Sequence, residues 1–226
     1  MKHRLTTAEH LLMEAAAHNS KVFIMKKRSL LWLVLFLMLA LCGTLALRAQ
    51  TDASSVLRPP KGAKVALVIF EDLECPDCAR AAPVVAAAAR QYKIPVVRYD
   101  FPLQQHPWAF DAAVLAHYFG EKSEALETEF REYIFAHQTE INPATLRSVA
   151  DKWAKQHNMS IPFAVDPTGK LKAKVNANRD LGKRIGIQHT PTLYVVSNSK
   201  TGRPFVEVVD RSQLYQLIDQ MKSEAE

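Results

Sequence analysis

The spacing of apolar positions changes several times along the chain, and each change marks an element. Leu30 to Leu47, "LLWLVLFLMLALCGTLAL", is 18 residues without a charge. Lys64 to Phe70, "KVALVIF", is a short run of mostly branched side chains and predicts a buried strand. From about Cys75 to Tyr92 the small and apolar residues of "CARAAPVVAAAARQY" predict a helix, with Pro83 expected to kink it. "IPVVRYD", Ile94 to Asp100, predicts a second strand. Strand, helix and strand form a βαβ unit, so these two strands should be parallel and joined by a right-handed crossover.

Beyond "FPLQQHPW" the pattern turns helical over roughly 109–186, with breaks near Gly120, Asn142–Pro143 and Pro162–Gly169. In "NPATLRSVADKWAKQHN", Leu146, Val149, Ala150 and Trp153 fall on one helical face. "TPTLYVV" and "PFVEVVD", separated by the polar turn "SNSKTGR", predict a hairpin. "RSQLYQLIDQMK" closes as a helix with Leu214, Leu217, Ile218 and Met221 on one side. The fold class is therefore α/β, in the order β-α-β, a helical insertion over about 109–186, then β-β-α.

The apolar run at 30–47 is preceded by Lys26, Lys27 and Arg28 and closed by Arg48, which makes it a membrane-targeting segment. Its length lies between a signal-peptide apolar region and a spanning helix, so it reads first as a transmembrane anchor and second as a cleaved signal peptide. Thr44 and Ala46 fit a cleavage site loosely; Cys42 in "LALCG" resembles a lipoprotein signal, except that Leu41 stands where a small residue is wanted. The basic cluster keeps residues 1–29 cytoplasmic and sends the rest across, which predicts an extracytoplasmic domain in the periplasm or on the outer face of the membrane. Met25, directly before the cluster, is as good a start as Met1. Residues 50–62, with Pro59–Pro60, read as a linker to a domain over 63–226.

The net charge of +6 belongs mostly to the targeting segment. Seven of the 29 Lys and Arg and two of the 23 Asp and Glu lie in residues 1–49, leaving 22 basic against 21 acidic residues. That balance gives no case for a nucleic-acid surface.

Of three cysteines, Cys42 lies inside the apolar segment, so only Cys75 and Cys78 remain in the exported part. A bridge closing so short a loop stabilises little, because the entropic gain grows with loop length. Chemistry explains the pair better. At a helix N-terminus unpaired N–H groups stabilise a thiolate, so Cys75 should be the attacking thiol, exposed at the helix tip. Cys78, one turn further in, can resolve the mixed disulfide. Pro76 suits the first helical turn. Asp77, with Glu71, Asp72 and Glu74 just before it, should destabilise the thiolate and make the disulfide a weaker oxidant, unless these acids simply cap the helix.

"CPDC" at a strand-to-helix turn and Thr190–Pro191 before a late strand look like the thioredoxin fold. More closely, "VIFEDLECPDCARAAP", "YDFPLQQHPWAFDAA" and "GIQHTPTLYVV" resemble the DsbA-like thiol-disulfide oxidoreductases, which carry a helical insertion in that fold. The resemblance implies a cis peptide at Thr190–Pro191 beside the cysteines, with the Thr190 backbone pairing with substrate. Family members often carry a buried acid six residues before the first cysteine; that place is Ile69 here, and Glu71 is the candidate to assist proton movement.

His106 and His189 are the candidate partners of a zinc site, but a second tight pair of ligands is missing from the sequence. His189 reads better as a neighbour that tunes the thiols. Trp108, Phe110, Tyr118 and Phe119 suit packing against the sheet or a substrate groove. The expected function is thiol-disulfide exchange with cysteine-containing protein substrates. It needs no cofactor beyond the Cys75–Cys78 pair, no metal and no nucleic acid, and a redox partner protein would reset it. The alternative is a non-enzymatic module of the same fold that binds peptide or metal.

Overall fold

The computed structural model describes residues 56–225 together with Met38. Strand β1 (Val65–Glu71) is buried along its whole length, because it is central in the sheet and both faces are covered. Helix α1 (Pro76–Tyr92) follows, running unbroken through Pro83 and ending at Lys93 in the left-handed conformation. Strand β2 (Val96–Asp100) pairs with β1 in parallel. Helices α2 (Ala109–Gly120), α3 (Glu124–Ala136), α4 (Leu146–Gln156) and α5 (Lys170–Arg184) form the insertion. Strands β3 (Thr192–Ser197) and β4 (Phe205–Glu207) form the antiparallel hairpin, and helix α6 (Leu214–Glu224) closes the fold. The sheet order is β2-β1-β3-β4, with β1 and β3 antiparallel.

The two-residue period of β1 divides the core. Val65, Leu67 and Ile69 pack with Val85 and Ala88 of α1 and with Leu214, Ile218 and Met221 of α6. Ala66, Val68 and Phe70 pack on the opposite face with Phe101, Ile187 and Val196. Helix α5 covers that second face closely at Gly182, where a Cβ would lie 2.6 Å from the Phe101 ring. The insertion has its own core, in which Phe119 and Phe130 each meet Trp153 edge to face, at centroid distances of 4.6 and 5.1 Å, and tilt against each other at 4.7 Å. Trp108 and Phe119 are buried there, so these two aromatics pack rather than line a groove.

Two boundaries shift. Leu57, within the stretch read as linker, is 3% exposed and packs with Val68 and Phe70, so the folded part reaches back at least to Val56. The final strand is shorter than expected, three residues rather than seven. Among the described residues no helix is long and apolar enough to cross a membrane. The segments read as the cytoplasmic end (1–29) and the start of the linker (50–55) lie outside the described residues, and so, apart from Met38, does the anchor or signal (30–47).

Candidate active site

The apolar run of β1 ends on two acids, Glu71 and Asp72, and the chain must turn before Pro76 can open α1. Cys75 is the residue that caps the helix: its φ and ψ are −73° and 120°, its N–H donates to Asp72 O (3.1 Å), and its carbonyl receives the N–H of Ala79 (3.2 Å). Pro76 occupies the first turn, where a missing N–H costs nothing. The turn is held from outside by Gln138, whose amide donates to Leu73 O at 2.8 Å and to Cys75 O at 3.1 Å. Asp72 organises its far side. Its carboxylate accepts from the N–H groups of Glu74 (2.7 Å) and Leu103 (2.8 Å) and pairs with His106 Nδ1 (2.7 Å), while its own N–H donates to Cys78 Sγ (3.4 Å).

Both cysteines carry free thiols, and both are buried, at 7% and 1% exposure. The expectation of an exposed Cys75 is corrected: the loop before β3 covers it, and Cys75 Sγ donates to Thr190 O at 3.3 Å. The Thr190–Pro191 peptide is cis, as the resemblance implies. Cys75, Cys78, Thr190 and Pro191 thus lie at one junction, although 115 residues separate Cys75 from Thr190.

The two thiols have opposite environments. The Cys75 thiol is pulled down to about 5, chiefly by the hydrogen bond from Cys78, against the opposing effect of burial. The Thr190 side chain and the N–H groups of Cys78 and Asp77 add to the effect. Burial pushes the Cys78 thiol far up, and its hydrogen bond to Cys75 and the negative charge of Glu71 push it the same way. The Thr190 hydroxyl is buried and, among the described residues, has no hydrogen-bond partner of its own beside the neutral thiol, so it is free to serve the anion.

The Asp77 carboxylate is held by two arginines. Arg211 grips its carboxylate at two points, 2.7 and 2.9 Å, and Arg80 adds contacts at 3.1 and 3.2 Å. The other acids are also occupied. Glu74 accepts from the N–H groups of Trp108 and Ala109 and so caps α2, while Glu71, 1% exposed, pairs with Arg98 at 2.8 Å and Arg131 at 3.3 Å. Each of the four acids has thus found a donor among the described residues, while the charge of Glu71 still raises the Cys78 thiol.

His189 is exposed; its carbonyl receives the Thr192 hydroxyl at 2.7 Å, and among the described residues no hydrogen bond joins its ring to either thiol. No group of three or more His, Cys, Asp or Glu among the described residues is placed to hold a metal ion.

Sequence reasoning missed Gln138, Arg131, Asp100 and Arg211. Arg131, 2% exposed, reaches Asp100 (2.8 Å) and Glu127 (2.9 Å) as well as Glu71, and His117 completes the cluster with contacts to Asp100 (2.6 Å) and Glu127 (3.0 Å). The alternation of acid and base at Glu127 and Arg131 looks like a solvated helix pair, and nothing local reveals that Arg131 faces inward.

A family model described as Thioredoxin matches residues 59–219. Among curated proteins, the Na(+)/H(+) antiporter NhaA 1 of Salinispora arenicola is 27% identical over 155 residues, which are 68% of this chain and 23% of the antiporter. NhaA 3 of Salinispora tropica is 29% identical over 143 residues, 62% of this chain and 21% of that protein. The chain thus spans under a quarter of the length of the curated relatives it matches. Among solved structures, Wolbachia pipientis alpha-DsbA1 superposes with a TM-score of 0.61 at 16% identity, over 75% of this chain and 92% of that one. The catalytic domain of Proteus mirabilis ScsC gives 0.58 at 21%, over 78% and 98%. Pseudomonas aeruginosa DsbA2 gives 0.52 at 22%, over 74% and 93%. At these identities the likeness is one of fold, while the match over residues 59–219 places the sequence: the chain belongs to the thioredoxin family and has the fold of its DsbA-like members, with the helical insertion.

Proposed function

We propose that the protein is an extracytoplasmic thiol-disulfide oxidoreductase acting on cysteine-containing proteins through Cys75 and Cys78. The observation that carries this reading is the asymmetry of the two thiols at one helix tip: Cys75 held near 5 beside Thr190–cis-Pro191, and Cys78 buried and far above its ordinary value. At neutral pH Cys75 is a thiolate and Cys78 keeps its proton, which is the division of labour that exchange needs.

With a disulfide substrate, the Cys75 thiolate attacks one sulfur; a Cys75–substrate S–S bond forms, the substrate S–S bond breaks, and the second substrate sulfur leaves as a thiolate. Cys78 then gives up its proton, attacks Cys75 Sγ and expels the first substrate sulfur. The substrate gains two electrons and two protons, one released by Cys78 and one taken from solvent, and the Cys75–Cys78 pair becomes the disulfide. With a dithiol substrate the same steps run backwards.

A low Cys75 value stabilises the reduced form of the pair and makes it a good leaving group. With Asp77 neutralised, the pair takes electrons more readily than its acidic motif suggested, so oxidation of substrate dithiols is the favoured direction. A redox partner protein then resets the pair. The charge pattern around residues 30–47 supports delivery of the domain across the membrane, either anchored or cleaved free. His189, exposed beside Thr190, fits a contact with substrate better than a role in tuning.

The test is equilibration of the full-length protein with mixtures of reduced and oxidised glutathione, followed by refolding of a reduced, disulfide-containing protein. Wild type should equilibrate and promote refolding, and Cys75→Ser should do neither. A Cys75→Ser variant as active as wild type would instead leave a binding module of the same fold.

A further inference from the structure

Arg211 stands at the start of a short turn (Arg211–Gln213) that leads directly into α6. Asp210 caps this turn, accepting from Ser212 N at 2.9 Å, and the next residue, Leu214, is fully buried against the sheet. The guanidinium is thus presented from a fixed element. It crosses to a residue 134 positions away and binds both oxygens of Asp77, the second of the two residues between the cysteines. Two parallel N–H to O contacts orient a carboxylate as well as pairing its charge.

Stability is a weak reason for this pair. Both side chains are about one-third exposed (35% and 37%), and exposed ion pairs of this kind contribute little to folding. Its position is more telling. The N–H groups of Asp77 and Cys78 are among the donors that serve Cys75, so turning Asp77 would move them. Arg80, the other partner of Asp77, is 67% exposed and holds it from the same helix, three residues on.

We propose that Arg211 is a positioning residue for the redox pair: by clamping Asp77 at two points it cancels the acid's charge beside the cysteines and fixes the first turn of α1 around Cys75. The clamp sets how oxidising a Cys-Pro-Asp-Cys motif is, allowing an acid within the motif without the loss of thiolate it would otherwise cause. This inference rests on the reading of Cys75 and Cys78 as the exchanging pair.

The experiment compares full-length wild type, Arg211→Gln, Arg211→Lys, Asp77→Asn and Asp77→Asn/Arg211→Gln. One readout is the pH midpoint of Cys75 alkylation by iodoacetamide, followed by mass spectrometry of its peptide. The other is the glutathione equilibrium constant. Arg211→Gln should raise the midpoint and shift the equilibrium about tenfold towards the disulfide, about 30 mV. Asp77→Asn, which leaves the Arg211 charge uncompensated, should shift both the opposite way; the double variant, which restores neutrality but not the clamp, and Arg211→Lys, which keeps charge but loses the fork, should both fall between wild type and Arg211→Gln.

If Arg211→Gln lowers the melting temperature while leaving midpoint and equilibrium at wild-type values, the pair is a structural contact and the proposal is overturned. Should Arg211→Gln not fold, Asp77→Asn decides alone, and an unchanged midpoint there overturns the proposal equally. A wild type that does not equilibrate with glutathione would overturn the exchange reading, while the Cys75 midpoints would still decide the clamp.

Discussion

Replacing Thr190 with valine removes one hydroxyl and keeps the shape of the side chain. Thr190 is 7% exposed, so no water takes the place of the lost donor. Its hydroxyl serves the Cys75 anion and has no partner of its own beside the neutral thiol. A hydrogen bond to a charged group contributes about 1.5–3 kcal/mol, and sulfur, a weak acceptor, falls at the low end. At about 1.4 kcal/mol per unit, the Cys75 value should rise by about one unit, from about 5 to about 6. The glutathione equilibrium should move about tenfold towards the disulfide, a fall in potential of about 30 mV. The measurement is the pH profile of Cys75 alkylation, read by mass spectrometry of its peptide. Folding of the oxidised form should not suffer, because the substitution removes a buried hydroxyl that, among the described residues, has no partner beside the neutral thiol. A midpoint unchanged within about 0.3 unit would refute the assignment of Thr190 as a donor to the thiolate.

Other outcomes follow from the buried charges and the close packing. Arg131→Met leaves Glu71, Asp100 and Glu127 without their shared cation, and breaking a buried pair in this way costs about 3–5 kcal/mol. Urea unfolding should show that loss, with a melting temperature lower by about 6–20 °C for a domain of this size; a loss below about 1 kcal/mol would contradict the buried cluster. Burial pushes His117 down, but its bonds to Asp100 and Glu127 outweigh this and hold it above its ordinary value. Its contribution is therefore full below about pH 6.5 and lost as pH rises through the folded value. Despite burial, Arg131 and His117 hold Asp100 and Glu127 below the usual carboxylate range, so their contributions are present above about pH 4.5 and lost on acidification. Unfolding of the oxidised form, which carries no titrating Cys75, should show greatest stability between these limits, and His117→Gln should flatten the alkaline side. Gly182→Ala should destabilise the domain, because the new methyl meets Phe101 at 2.6 Å, and a melting temperature at or above wild type would show that the helix moves away freely.

The parallel β1–β2 pair and the hairpin were legible because β1 is apolar from Val65 to Phe70 and the hairpin is marked by its polar turn, whereas the antiparallel pairing of β1 with β3 is set across the fold. The helical insertion was legible from breaks at Gly120 and Pro143, and Thr190–Pro191 from the pattern shared with its family. What could not be read were contacts made across the fold. Asp77 and Arg211 are each ordinary charged residues in their own segments, and only the meeting of α1 with the turn before α6 brings them together. The sequence therefore suggested a repelled thiolate where the structure has a neutralised acid. Cys75 was expected at the surface for the same reason: a helix N-terminus is usually exposed, and the loop that covers this one comes from more than a hundred residues away. Leu57 was read as linker because its neighbours are polar and Pro-rich, although a single buried leucine was enough to dock that stretch on the sheet.

The central claim, that Cys75 attacks protein disulfides or receives them and Cys78 resolves the product, is tested most directly by trapping. Full-length protein carrying Cys78→Ala is produced in its own cells, free thiols are blocked with acid and alkylating agent, and adducts are separated without reductant. Proteins should be found linked to Cys75 through disulfides, released by dithiothreitol and absent from Cys75→Ser/Cys78→Ala. A folded Cys78→Ala protein that carries no protein adduct on Cys75 would contradict it.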